Sequence, residues 1–354
     1  MGAKIDSDVL IMQQNQAIID RGTMNNPNLT YERNYTTNHE SEIVAMIALN
    51  QRYVATSSSD RTVQVWDLER PNYSIVRLTD FDAEVICMKK ILIDESHPLG
   101  HQLITVESLP NTENIGIHNL TSTSFKVPVI WSSEMKDYVT AIDIVNKKRL
   151  VVGYNSGWFG LLDTATLKST YRFNTEIPIN GLLVLPDRNK IVIANGLAFT
   201  VVSVTPNDQV FTVSKGGASS NIIGLRCLGR NSEVFCALLQ GGVINFYRTT
   251  DGHCLNTVKS NNNIESTLVL NFFSQEPKVF LFGLSKTQPH FSYGNIDQNS
   301  MIPVAPQAAF NCTTRGEPKM QILDLVPGSH LTFATVANDV AKHPGLNIWK
   351  LRFQ

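Results

Sequence analysis

The stretch from Tyr53 to Leu68, YVATSSSDRTVQVWDL, constrains the chain more than any other. Two β-rich runs flank a polar turn, and the second run ends in Trp66-Asp67. Val63 and Val65 alternate with Thr62, Gln64 and Trp66, a period of two that fits a strand and not a helix. Upstream, Ile43 to Ala48 reads as one more strand, with His39 just ahead of it. The pattern recurs in weaker form. Arg149 to Asp163, RLVVGYNSGWFGLLD, repeats strand, glycine turn and strand and ends in Leu162-Asp163. Phe235 to Gly252 puts Tyr247 where Trp66 stands and ends on Asp251-Gly252, a hairpin-turn pair. Gly345 to Leu351, GLNIWKL, puts Trp349 at the same place. First strands of successive units are expected near Ile43, Glu84, Tyr138, Pro178, Ile222, Ile264 and Lys319, at spacings of roughly 40 to 55 residues, which makes seven units.

These segments resemble the WD40-repeat family of β-propellers, over about residues 28 to 354 and most specifically in the first unit. The resemblance implies an all-β fold, a single seven-bladed propeller whose blades are four-stranded sheets. It also implies that His39, Thr56, Asp60 and Trp66 form the family's hydrogen-bonded tetrad. Such a set ties the loop entering a blade to its outer strands while satisfying its own buried polar atoms. His39 and Asp60 are then structural, although out of context they could pass for an acid/base pair. In the weaker copies Ser156, Gly241 and His343 replace the tetrad Asp. The longer second and sixth blades are expected to carry their extra residues in loops around Asp94 to Gly100 and Ser285 to Asn299. The last copy ends at Phe353-Gln354, after its third strand. The β-rich run Leu29 to Thr36, within a closing segment 28–36, is expected to complete that blade and so remove an open edge. Residues 1–27 form an N-terminal extension. Ile5, Val9, Met12 and Ala17 to Ile19, ahead of Gly22, have a spacing compatible with a short amphipathic helix; packing along the propeller, contact with a partner and disorder all stay open.

Composition narrows the function classes. With 354 residues, 42% hydrophobic and 17% charged, the chain is globular and poor in charge, as many half-buried strands require. A net charge of -1 gives no overall field to draw nucleic acid or anionic lipid, so neither is an expected partner. No apolar run is long enough to span a membrane and the N-terminus has no signal-peptide pattern, so the protein is expected to be intracellular, in cytoplasm or nucleus, without membrane insertion. Met1-Gly2 is followed by Asp6 where a myristoylation pattern wants Ser or Thr. Cys87, Cys227, Cys236, Cys254 and Cys312 are scattered without a CxxC pair and read as reduced thiols. In an intracellular protein the sequons at Asn28, Asn34, Asn72, Asn119 and Asn311 are chance matches.

No catalytic motif emerges. GLSKT at Gly283 to Thr287 lacks the leading glycine and the Gly-Lys pair of a phosphate-binding loop, and there is no GxSxG or HExxH. No catalytic residue, cofactor or metal is therefore assigned, and the chain is expected not to be an enzyme. Lys147-Lys148-Arg149 falls at a hairpin turn and reads as solvated. The Trp-Asp-x-Arg of ubiquitin-ligase substrate receptors is matched only as Trp66-Asp67-Leu68-Glu69, with Arg70 one place late. The expected function is a non-catalytic scaffold that holds other proteins or peptides in an intracellular complex. The alternatives are a peptide-recognition module such as a ubiquitin-ligase receptor, and an enzyme with a propeller active site. Arg61, Asp137 and Trp158, in turns expected on the top face, are the candidate partner-binding residues. Trp158 follows the polar turn Asn155-Ser156-Gly157, and reads either as an aromatic anchor or as packing against the neighbouring blade.

Overall fold

The computed structural model describes residues 28–70, 73–79, 81–108, 114–121, 127–130, 137–165, 169–205, 209–227, 232–259, 266–273, 277–284, 289–295, 301–304, 320–326, 330–337 and 344–352. The expected N-terminal helix and His343 lie outside these residues. The loop expected from Ser285 to Asn299 is not one loop: Pro289–Asn295 within it is the third strand of the sixth sheet, pairing with Pro277–Leu284. Among the described residues all helical and strand structure is β, arranged in seven four-stranded antiparallel sheets. Sheet one is the meander Ile43–Ala48, Tyr53–Ser58, Val63–Asp67 and Ser74–Leu78. The first strands of sheets two to seven are Val85–Leu92, Val139–Asn146, Gly181–Val184, Ile222–Cys227, Ser266–Phe273 and Met320–Val326, near the positions that the repeat spacing suggests.

Sheet seven is built from both ends of the described chain. Met320–Val326, His330–Ala337 and Gly345–Arg352 supply three strands, and Asn28–Thr36 pairs antiparallel with the last of them, Tyr31 opposite Trp349 and Tyr35 opposite Leu346. Each sheet's first strand contacts the first strand of the next, from sheet one through to sheet seven, and that of sheet seven contacts that of sheet one.

The middle strands explain why the alternation is weaker in burial than in sequence. Every residue of Tyr53–Ser58 and Val63–Asp67 is buried, whereas the outer strand Ser74–Leu78 alternates between exposed and half-buried until its last residue. The period of two sorts side chains between two neighbours rather than between core and water. Ala55, Val63 and Val65 pack with Val85, Met88 and Leu103 of sheet two. Val54 and Trp66 pack the other way, with Tyr35, Leu346 and Ile348 of sheet seven. Equivalent apolar layers join sheets two and three, three and four, and four and five. At about 25 cal/mol per Å² of apolar surface, such layers dominate the stability of each sheet, which could not bury both faces alone.

Two turns need glycine for different reasons. The loop Asp94 to Gly100 folds back so tightly that a Cβ on Gly100 would sit 1.7 Å from the Asp94 carbonyl oxygen. Gly157, between the second and third strands of sheet three, has φ +87° and lies against the backbone of Ile177.

Candidate functional site

The tetrad proposed from sequence is assembled in sheet one. His39 precedes the first strand, Thr56 lies on the second, Asp60 in the following turn and Trp66 on the third. The Trp66 indole N–H donates to Thr56 Oγ1 at 2.7 Å, Thr56 Oγ1 is 2.8 Å from His39 Nε2, and His39 Nδ1 is 3.0 Å from Asp60 Oδ2. With the proton on Nδ1, donation runs from Trp66 through Thr56 and His39 to the Asp60 carboxylate. The Thr62 hydroxyl and the Glu40 backbone N–H also donate to that carboxylate, at 2.7 and 2.9 Å. Burial acts to raise the Asp60 carboxyl, but the hydrogen bonds from His39 and Thr62 override it and hold it well below the usual carboxylate range. His39 and Thr56 are fully buried, so no substrate could reach the imidazole. The same strand ends in Asp67, buried and held in a two-pronged pair by Arg52 at 2.7 and 2.5 Å. Hydrogen bonds from Arg52 hold Asp67 below its ordinary range against the effect of burial.

The bond between a second-strand threonine and a third-strand ring recurs in two further sheets. Thr335 accepts from the Trp349 indole at 2.9 Å in sheet seven, and Thr105 lies 3.0 Å from His118 Nε2 in sheet two. The register is the same in all three: Thr56 opposes Gln64, Thr105 opposes Gly116 and Thr335 opposes Asn347, each two residues before the ring. In sheet five that second-strand position is Ala237, opposite Asn245. Tyr247, the residue aligned with Trp66, sends its hydroxyl to the Gly217 carbonyl at 2.9 Å instead.

A second device, described in sheets one to five, ties the loop before the first strand to the end of the second strand or the turn after it. Glu107 accepts from the Asp82 N–H at 2.8 Å in sheet two, and Asn180 accepts from the Gly196 N–H at 3.2 Å in sheet four. In sheet five the Gln240 N–H donates to the Asn221 carbonyl at 2.8 Å. In sheet three the latch is Asp137, whose carboxylate accepts from the Ser156 backbone N–H at 3.1 Å and from its hydroxyl.

This geometry redistributes the three candidate partner-binding residues. Asp137 is buried and committed to Ser156, so it is a latch rather than a group offered to a partner. Trp158 is half-buried and packs on the apolar layer between sheets two and three, the packing alternative of the sequence reading. Arg61 is exposed at φ +62°, and among the described residues nothing bonds it to the other two. The sequence reading overlooked four apolar side chains at the same end of sheets three to five. Tyr138 and Ile177 precede first strands, Leu197 lies in the turn after a second strand, and Ile223 is near the start of a first strand; all are between 41% and 53% exposed. The signal that could have found them was their position beside the turns, not their residue type.

Among the described residues, no group of three His, Cys, Asp or Glu side chains converges as a metal site would require. Cys87, Cys227, Cys236 and Cys254 are free thiols, and burial pushes the Cys236 thiol up to about 12. No helix of the described residues is long and apolar enough to cross a membrane. No protein-family model matches the chain, and no curated protein matches it.

Proposed function

We propose that the seven sheets are the blades of a closed seven-bladed propeller of the WD40 type, and that the protein is a non-catalytic platform holding other proteins in an intracellular complex. Closure is supported by the ring of contacts between successive first strands and by the N-terminal strand on the edge of sheet seven. The free thiols fit a reducing compartment. The polar groups most suggestive of chemistry, His39 and Asp60, are occupied in holding a blade together.

The observation that carries the platform reading is the line of Tyr138, Ile177, Leu197 and Ile223 at one rim of three consecutive blades. Neighbouring loops that leave several large apolar side chains in water offer an interaction surface to cover. The test is purification of the tagged full chain from its native cells, with stoichiometry read by native mass spectrometry. Partners at fixed stoichiometry, lost from an Ile177→Asp, Leu197→Asp variant that melts at the parent temperature, are the expected result. Recovery of the wild-type chain alone, or full retention of every partner by the variant, would overturn it.

A further inference from the structure

The near-neutral total hides an uneven distribution of charge. At the rim where first strands begin, the described loops carry Glu40, Glu42, Asp82, Glu84 and Glu176 besides the latching Asp60 and Asp137, and Arg61 is their one base. At the opposite rim, Arg52, Lys147, Lys148 and Arg188 are interspersed with Asp94, Glu95 and Asp187. The acidic rim is also the one that exposes Tyr138, Ile177, Leu197 and Ile223.

The apolar residues belong to one connected set of turns. The Asn155 N–H donates to the Tyr138 carbonyl at 3.1 Å, and the Thr175 N–H to the Gly157 carbonyl at 2.9 Å. Thr175 Oγ1 reaches the Ile177 carbonyl at 2.8 Å. Asn180 bridges the Gly196 N–H and the Ile222 carbonyl, at 3.2 and 2.6 Å, and the Ile222 N–H returns to the Gly196 carbonyl at 2.9 Å. Glu176, exposed beside Ile177, places a carboxylate within the apolar line. Glu40 and Asp82 extend the negative charge over sheets one and two, and among the described residues the side chains of these three carboxylates have no partner.

We infer that this rim binds a linear segment of another protein in which apolar residues stand next to Lys or Arg. The inference rests on the platform reading and adds the chemistry of the partner. Apolar side chains spread over three sheets call for a linear occupant rather than one compact anchor. The unpaired carboxylates favour a basic segment and repel an acidic one, which sets specificity and association rate more than affinity.

The test is selection of a random-sequence peptide display library on the immobilised full chain, followed by anisotropy titration of one recovered peptide. Recovered peptides should pair Lys or Arg with Leu, Ile, Phe or Tyr. Binding should weaken by about tenfold or more with Leu197→Asp, as for an anchor contact. It should weaken with Glu176→Lys and with added salt, both variants melting at the parent temperature. Recovered peptides without basic residues, or peptides bound equally by Glu176→Lys, would overturn the inference and leave the platform reading standing. So would peptides bound equally by Leu197→Asp, or an empty selection when stoichiometric partners are recovered from cells. An empty selection together with a chain that purifies alone would overturn both.

Discussion

Replacing Thr56 by Val tests the tetrad most directly, because the substitution keeps the shape of the side chain and removes only the hydroxyl. That oxygen is the acceptor for the Trp66 indole at 2.7 Å and the partner of His39 Nε2 at 2.8 Å. Thr56 and His39 are fully buried and Trp66 nearly so, so water cannot take the lost place. Each buried polar group left unmet costs about 1 to 3 kcal/mol, which puts the two together at about 2 to 6 kcal/mol. Thr335→Val deletes the one equivalent bond described in sheet seven and should cost about half as much. Urea denaturation followed by tryptophan fluorescence reads both, as a lowered midpoint at unchanged slope. Combining Thr56→Val with Trp66→Phe should cost less than the sum of the two single changes, since the indole donor is then gone. A Thr56→Val protein within about 0.5 kcal/mol of wild type, the usual range for a surface change, would refute the structural role. If it had also lost partner binding, the buried chain would have to be reread as functional.

Because the folded Asp60 carboxyl is depressed below its unfolded value, its contribution is fully present above about pH 4 and is lost as pH falls below that. Asp60→Asn should therefore flatten the acid limb of a plot of urea midpoint against pH. His101 adds an earlier slope: burial, with Lys90 contributing, pushes its imidazole down to about 4, so the unfolded chain takes up the proton first and stability falls as pH drops from about 6.5 toward 4. His101→Gln should remove that slope in the same titration. Gly157→Ala should cost about 1 to 3 kcal/mol in thermal denaturation, because φ is +87° and the new Cβ would lie 2.8 Å from the Ile177 carbonyl oxygen. Deleting residues 1–36 should bare the edge of Gly345–Arg352 and give aggregates in size-exclusion chromatography, where a monomer of unchanged melting temperature would disprove ring closure.

The period of the repeat and the strands around Trp66-Asp67 were legible because each depends on residue types that few other environments accept. The four tetrad residues could be named for the same reason. Trp349 was aligned with Trp66, but its partner Thr335 was not seen, since the diagonal register linking ring to threonine exists only once strands are aligned; the Thr105–His118 pair was missed also because imidazole there replaces indole. The latches were hidden more deeply. Asp60, Glu107, Asp137 and Asn180 do one job from different sides of the same joint, so no column of letters records it. Asp137 was misread for this reason, its acceptor role being indistinguishable in sequence from a carboxylate left in water. The exposed apolar line went unread because single apolar residues beside turns are ordinary, and only their gathering at one rim is not.

The pairing of Tyr31 with Trp349 has a consequence for how the molecule comes into being. During synthesis the strand Asn28–Thr36 leaves the ribosome before any other described strand, yet its hydrogen-bonding partner is the last strand described. It must wait, unpaired, while sheets one to six form behind it. The completing step is thus the contact of longest sequence separation, the kind that closes slowly. Until then the nascent chain carries two bare strand edges, and whatever shields them in the cell governs the yield of folded protein.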